Sequence, residues 1–318
     1  MLSSLARIAR IDRGAADLVT DTGTCRVGIP PGIDLAVGDW VTTDGADLLA
    51  VEPRRTAIVR AAASGESRAQ TLVANVDLVL VVVPAFPVPR LGIVERLVAL
   101  AWDTGATPVV VITKADLAAE PEAVRRDIAM GAVGCEVLMV SATTGEGMAA
   151  LDGLDQAGLT LCLVGRSGAG KSTLANALLG SEQMAVTEVR RDGKGRHTTT
   201  HRELMSLPGG GVLIDTPGLR GVGLWIAEDG VAQTFPEIEE LAGHCRFGDC
   251  RHETEPGCAV TEAIETGDLP QRRLDSWRKL EREAVWMATR HDARLRKARQ
   301  REWRQISLAN RRSGTVRP

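Results

Sequence analysis

Gly165-Arg166-Ser167-Gly168-Ala169-Gly170-Lys171-Ser172-Thr173 matches the phosphate-loop template G-x-x-x-x-G-K-[ST] at every fixed position. The apolar run Leu159-Thr160-Leu161-Cys162-Leu163-Val164 before it reads as a buried strand. After it, Leu174-Ala175-Asn176-Ala177-Leu178-Leu179 has helical spacing and ends at Gly180. Strand, glycine loop and helix are the context in which backbone N–H groups wrap phosphate oxygens at a helix N-terminus. A glycine-rich turn of purely structural use is the competing reading, and this context argues against it. In such a loop Lys171 would reach the β- and γ-phosphates, and the Ser172 hydroxyl would bind Mg²⁺. The stretch therefore implies an α/β fold built around a nucleoside triphosphate site.

Upstream, from Val76, strands and helices alternate. Leu78 to Val83 is a continuous, largely β-branched run, as expected of a strand covered on both faces. Leu91 to Trp102 has helical periodicity, Val109 to Ile112 is strand-like, a helix is expected from Pro121 to Met130, and Glu136 to Val140 is a further strand. This rhythm predicts a mostly parallel sheet with helices on both faces and binding loops at the C-terminal strand ends. Thr113-Lys114-Ala115-Asp116 and Ser141-Ala142 occupy such positions, as does Asp215-Thr216-Pro217-Gly218 after Gly211 to Ile214.

Together these short motifs form a guanine-nucleotide set. Asp116 would accept two bonds from guanine N1 and N2, a donor pair adenine lacks, while Lys114 would lay its stem along the base. Ser141-Ala142 would offer a backbone N–H to guanine O6. Asp215 would bind Mg²⁺ through water, and the Gly218 N–H would meet the γ-phosphate. Thr113 stands where the motif N-K-x-D has Asn, so weaker affinity with guanine selectivity retained is expected over an ATPase. The base loops precede the phosphate loop, the reverse of the Ras-like order, which implies a circular permutation joined through residues 143 to 158.

The 318 residues suffice for two or three domains, and 44% hydrophobic with 25% charged residues is ordinary for a globular protein. No apolar run approaches a membrane span and the N-terminus lacks a signal-peptide core, so the expected compartment is the cytoplasm. Residues 1–67 alternate short β-like runs, such as Ala6 to Ile11, Thr24 to Ile29 and Trp40 to Thr43, with turn signals. They read as a small β-barrel, with Ala61 to Ser67 as a linker. Such barrels often bind nucleic acid, but Trp40 is the one residue there able to stack on a base, and a structural barrel is the alternative.

Residues 68–232 are expected to form the nucleotide domain and 233–318 a mainly helical metal-binding one. In the latter, Cys245-x₄-Cys250-x-His252-x₅-Cys258 supplies a complete tetrahedral set, which predicts a structural Zn²⁺ rather than a disulfide in a reducing compartment. Cys25, Cys135 and Cys162 are scattered and read as small packed residues. Leu269 to Trp286 is an amphipathic stretch, and beyond it lie Arg294, Arg296, Lys297, Arg299, Arg301, Arg304, Arg311 and Arg312 with Trp303 among them. A basic helix and tail of this kind suit phosphate-backbone contact with structured RNA; a solvated charged helix is the blander reading.

The permuted order, the segment Gly195-Arg196-His197-Thr198-Thr199-Thr200 and the later Cys/His cluster together resemble the RsgA (YjeQ-type) ribosome-assembly GTPases, over essentially the whole chain. That resemblance implies an N-terminal OB-type barrel, a permuted GTPase domain and a C-terminal zinc domain. It implies binding of GTP and GDP with Mg²⁺, and action on the small ribosomal subunit and its rRNA; a monomer with no membrane partner is expected. It also implies that His197 replaces the water-orienting Gln of Ras-like enzymes, since Leu219 stands at that place and cannot position a water. One of Thr198, Thr199 and Thr200, with Thr199 and Thr200 the foremost candidates, would bind Mg²⁺ when the γ-phosphate is present. Slow basal hydrolysis, ~10⁻⁴ to 10⁻² s⁻¹ as for unassisted GTPases, and acceleration by a partner are expected. An RNA-binding module with a merely structural nucleotide, and a metabolic GTPase or kinase, are the competing functions.

Overall fold

The computed structural model describes residues 4–12, 14–60, 70–181, 202–215 and 227–291. Its first strands are β1 (Ser4–Asp12), β2 (Ala15–Thr20), β3 (Gly23–Gly28), β4 (Trp40–Thr43) and β5 (Leu48–Val51). β1 pairs antiparallel with β2 and with β4, β2 with β3, and β4 with β5. A parallel bridge from Gly28 to Asp47 links β3 to β5 and completes a circuit of five strands. That circuit is the OB-type barrel expected of the first residues. Ala6, Ile8, Ala16, Leu18, Val27, Val41 and Leu48 fill its interior.

β6 (Ala57–Arg60) and β7 (Gln70–Ala74) pair with each other, and the expected linker Ala61 to Ser67 between them lies outside the described residues. The chain continues through β8 (Leu78–Pro84), α1 (Leu91–Trp102), β9 (Thr107–Thr113), α2 (Pro121–Ala129), β10 (Glu136–Met139), β11 (Thr160–Val164) and α3 (Lys171–Leu179). β12 (Glu203–Ser206) and β13 (Val212–Asp215) follow. The order across the sheet is β10-β9-β8-β11-β13-β12, parallel up to β13, with β12 antiparallel to β13.

Side chains alternate across a strand, and the two faces have separate cores. Val79, Val81 and Val83 face α1, whereas Leu80 and Val82 face Leu174, Ala175 and Leu179 of α3. The loops after β9, β10, β11 and β13 all leave from C-terminal strand ends, where ligands bind in open α/β sheets.

The C-terminal region comprises α4 (Glu228–Thr234), α5 (Pro236–Ala242), α6 (Ala259–Thr266) and α7 (Gln271–His291). It is not a separate globule on a tether. Phe235, Ile238, Val260, Leu274 and Leu280 share one core with Val94, Leu97, Val98 and Ala101 of α1. The basic stretch at 292–318 lies outside the described residues.

Asp103, just past α1, fixes the start of α4: its carboxylate accepts the backbone N–H groups of Ala227 at 2.5 Å and Gly230 at 2.7 Å. Burial pushes this carboxyl up to about 7 from an ordinary 3.8; the two amide bonds pull the other way, and Asp229 adds repulsion. A raised acid holds its proton in the folded state where the unfolded chain has lost it. The stability it contributes is therefore full below the ordinary carboxylate range and is lost as pH rises through about 7. Between pH 5 and 8 the melting temperature of the wild type is expected to fall more steeply than that of Asp103→Asn; identical slopes would discount the effect.

Candidate nucleotide site and metal centre

The phosphate loop leaves β11 at Gly165, whose φ of 154° suits glycine, and a Cβ there would lie 2.3 Å from the Val82 carbonyl oxygen. Only a residue without a side chain lets β11 and β8 stay this close. The loop ends at Gly170, which precedes α3 with φ 90°. No side chain caps that helix, and a helix N-terminus of this kind favours an anion. The Lys171 ammonium donates to the carbonyls of Gly165 and Arg166, both at 2.9 Å, and so arches over the loop. Ser167, Ser172 and Thr173 complete the stretch at the head of α3.

The base loop is tied to this one directly. Thr113 donates its hydroxyl to the Ala169 carbonyl at 2.5 Å, and lies 3.3 Å from the Val83 carbonyl. The Lys114 ammonium donates to the Gly168 carbonyl at 2.8 Å, with Lys114 itself in the left-handed region at φ 60°. Thr113, short as it is, thus bonds the loop after β9 to the phosphate loop. Thr113→Val removes a buried donor at a cost of about 1 to 1.5 kcal/mol, a five- to tenfold loss of GTP affinity. Guanine-over-adenine preference is expected to survive, and nucleotide titration of the variant measures both.

The Ser141 hydroxyl donates to Asp116 Oδ1 at 2.5 Å and accepts the Thr144 N–H at 3.2 Å, which orients the carboxylate. Ser141's own N–H is spent on the Glu146 carbonyl at 2.8 Å, and Gly147 packs where a Cβ would lie 2.2 Å from the Met139 carbonyl oxygen. The segment read as a permutation join therefore also shapes the Ser141-Ala142 loop. Asp215 ends β13, the strand paired with β11, so it stands beside the phosphate loop's own strand. His197, Thr198, Thr199, Thr200, Gly218 and Leu219 lie outside the described residues.

The second cluster is compact. The ligand atoms of Cys245, Cys250, His252 and Cys258 all lie within 4.8 Å of one another. His252 Nδ1 is 3.6 Å from Cys245 Sγ and 3.4 Å from Cys258 Sγ, and the two sulfurs are 3.9 Å apart. Sulfurs about 2.3 Å from a tetrahedral ion sit roughly 3.8 Å from each other, so the donor set fits Zn²⁺ in both chemistry and spacing. Burial raises the Cys258 thiol, but hydrogen bonds from Thr261 and His252 outweigh it and bring the group to about 6. Trp277 of α7 meets the His252 ring edge-on at 5.6 Å, and the Arg278 guanidinium donates to the His252 carbonyl.

Base loops that precede the phosphate loop, on a parallel sheet with this strand order, define a circularly permuted phosphate-loop GTPase, an enzyme of GTP hydrolysis. A family model described as RsgA GTPase matches residues 51–225. The chain belongs to the RsgA GTPase family. A protein of Streptomyces avermitilis named "Small ribosomal subunit biogenesis GTPase RsgA" is 51% identical over 312 residues, which span 94% of this chain and 84% of that protein. A Streptomyces coelicolor protein of the same name is also 51% identical, over 94% of this chain and 85% of its own length. Among solved structures, YjeQ from Thermotoga maritima aligns with TM-score 0.67 and 25% identity, over 89% of this chain and 99% of that one. YloQ, described as a circularly permuted GTPase, aligns with TM-score 0.65 and 23% identity over 89% and 95%, which bears on the fold alone.

Proposed function

We propose that this protein hydrolyses GTP while bound to the small ribosomal subunit, assists that subunit's late maturation, and couples hydrolysis to its own release. The observation that carries this reading is 51% identity across nearly the whole chain to proteins named for small-subunit biogenesis, joined to a full set of guanine-nucleotide loops. No helix among the described residues is long and apolar enough to cross a membrane. The reading places the protein in the cytoplasm, as a monomer, in contact with rRNA through the basic stretch beyond α7.

At the site, Asp116 accepts from guanine N1 and N2. Ser141 holds its carboxylate in place, and the Ala142 N–H meets guanine O6 because Ser141's N–H is already committed. The loop amides from Gly165 to Thr173 wrap the phosphates. Lys171 trades the Gly165 and Arg166 carbonyls for the β- and γ-phosphates, an exchange of neutral acceptors for charged ones. Ser172, Thr199 and Asp215 would hold Mg²⁺, which when bound neutralises phosphate charge. The Gly218 N–H meets the γ-phosphate, and His197 orients the attacking water and accepts its proton. Cys245, Cys250, His252 and Cys258 would hold a structural Zn²⁺, with no coordination position left open for chemistry.

GTP turnover by wild type and His197→Ala, with and without purified small subunits, tests the reading. Subunits are expected to accelerate the wild type, and His197→Ala is expected to lose about a hundredfold of the stimulated rate with nucleotide binding intact. Wild-type turnover that subunits leave unchanged would sink it.

A further inference from the structure

β1 belongs to two cores at once. Ala6 and Ile8 lie in the barrel interior, Ala9 packs against the core of the GTPase sheet, and Ile11 packs against both. The strand can do this because its register with β2 slips between Ile8 and Arg10, a bulge that bends it and sharpens its twist. Before the bulge, Ser4 to Arg7 pair with Thr43 to Trp40 of β4. After it, Arg10 pairs with Glu203 of β12, and Glu203 pairs in turn with Asp215 of β13. One cross-strand row thus runs from the barrel to Asp215.

The two halves of β1 are held very differently. Arg7 donates to the carbonyls of Gly38 at 3.3 Å and Asn75 at 3.1 Å and to the Thr160 hydroxyl at 2.7 Å, and it stacks on Trp40 at 5.2 Å. Gly38 leaves this joint no slack, since a Cβ there would lie 2.2 Å from the Ala74 carbonyl oxygen and 2.9 Å from Ile214 Cδ1. Beyond the bulge, the described residues of β1 and β12 register at Arg10–Glu203, whereas β8 and β9 register at seven pairs. A junction that short opens at small cost. Its outer side carries an ionic cluster: Arg26 with Asp17 at 2.7 Å and Asp12 at 3.3 Å, and Arg10 with Asp12 at 3.4 Å.

We propose that the N-terminal barrel reads the nucleotide state through the β1–β12 pairing, with the bulge at Ala9 as hinge. The pairing tightens when Asp215 is drawn to the metal of bound GTP and loosens with GDP, and the cluster of Arg10, Asp12, Asp17 and Arg26 shifts with it. Ladder pairing transmits such a shift because register is specified wherever one face of a strand is buried. The inference rests on the assignment of Asp215 to the nucleotide-bound metal.

Hydrogen exchange of the full chain, saturated with Mg²⁺ and either GDP or a non-hydrolysable GTP analogue, reads the pairing directly. Calorimetric titration establishes saturation first, so failure to bind nucleotide counts against the proposed function and not against this coupling. Amides of residues 9–12 and 203–206 are expected to exchange about tenfold faster with GDP, with β8 unchanged. Equal exchange in the two saturated forms overturns the proposal. A second variant, Arg10→Cys with Glu203→Cys, places thiols at paired positions, whose Cα separation of about 4.5 to 5.5 Å in an antiparallel ladder suits a disulfide. Oxidation is expected to abolish the nucleotide-dependent difference and reduction to restore it. A pair that will not oxidise, or a cross-link that leaves the difference intact, overturns the proposal equally.

Discussion

Lys171→Ala is expected to lower kcat/KM for GTP about a thousandfold, the upper range for loss of one preorganised electrostatic contact in a site. The Lys171 ammonium bonds the carbonyls of Gly165 and of the exposed Arg166. Those bonds contribute little to folding, about 0.5 to 1.5 kcal/mol each, because water can replace the ammonium there. Against the β- and γ-phosphates the same group would meet concentrated negative charge in a loop already shaped by Gly165 and Gly170. Activity should therefore collapse while the melting temperature moves only slightly. Turnover, calorimetric GTP binding and thermal unfolding on the same preparation separate the two. A variant that still binds GTP at wild-type affinity would overturn the assigned role of Lys171.

Glu95→Ala should do the reverse, with a loss of about 3 to 5 kcal/mol of stability, the range for removing one partner of a buried ion pair. The Glu95 side chain is fully buried in α1 and accepts from Arg272 at 2.8 Å and from Arg273 at 2.9 Å. Arg273, 4% exposed, also donates to Glu237 at 2.6 Å and to the Thr234 carbonyl at 2.9 Å, and stacks on Phe235 at 4.2 Å. Truncation leaves this guanidinium with one carboxylate and a cavity beside it. Glu95→Gln keeps the volume and one acceptor and should cost less. The network joins α1 to α5 and α7, so the C-terminal helices are expected to come away before the sheet melts. Urea unfolding followed by Trp fluorescence, to which Trp40 of the barrel, Trp102 of α1 and Trp277 of α7 all contribute, should then show two steps. One unshifted transition would rule out a structural role for the network.

The two expectations differ in how far their residues could be foreseen. Lys171 is plain in the sequence because the chemistry of a phosphate loop needs its residues within nine consecutive positions. The same holds for Thr113 to Asp116, for Ser141-Ala142 and for the Cys/His cluster, where spacing alone brings the ligands together. Local periodicity was nearly as informative: α1 spans Leu91–Trp102 as its apolar spacing implies, and the helix expected from Leu174 starts at Lys171. β2 and β5 carried weaker signals, since Ala15, Ala16, Asp17 and Ala50 lack the β-branched bulk that marks a strand.

What the amino-acid sequence carried by itself were the short-range patterns: a phosphate-loop motif, the motifs of a guanine set in permuted order and a Cys/His cluster able to hold a metal. Tertiary structure alone decided how the units are joined. Arg7 reaches Thr160 across 153 residues and Arg273 reaches Glu95 across 178. Neither pair has a local signature, because an isolated Arg or Glu reads as a solvated surface residue until the fold has closed around it. β1 makes the same point in backbone terms. Its alternation announces one strand, but only the bulge at Ala9 and the free edge of β12 decide that it serves two cores, since pairing over that distance depends on which edges remain open once the sheet has formed.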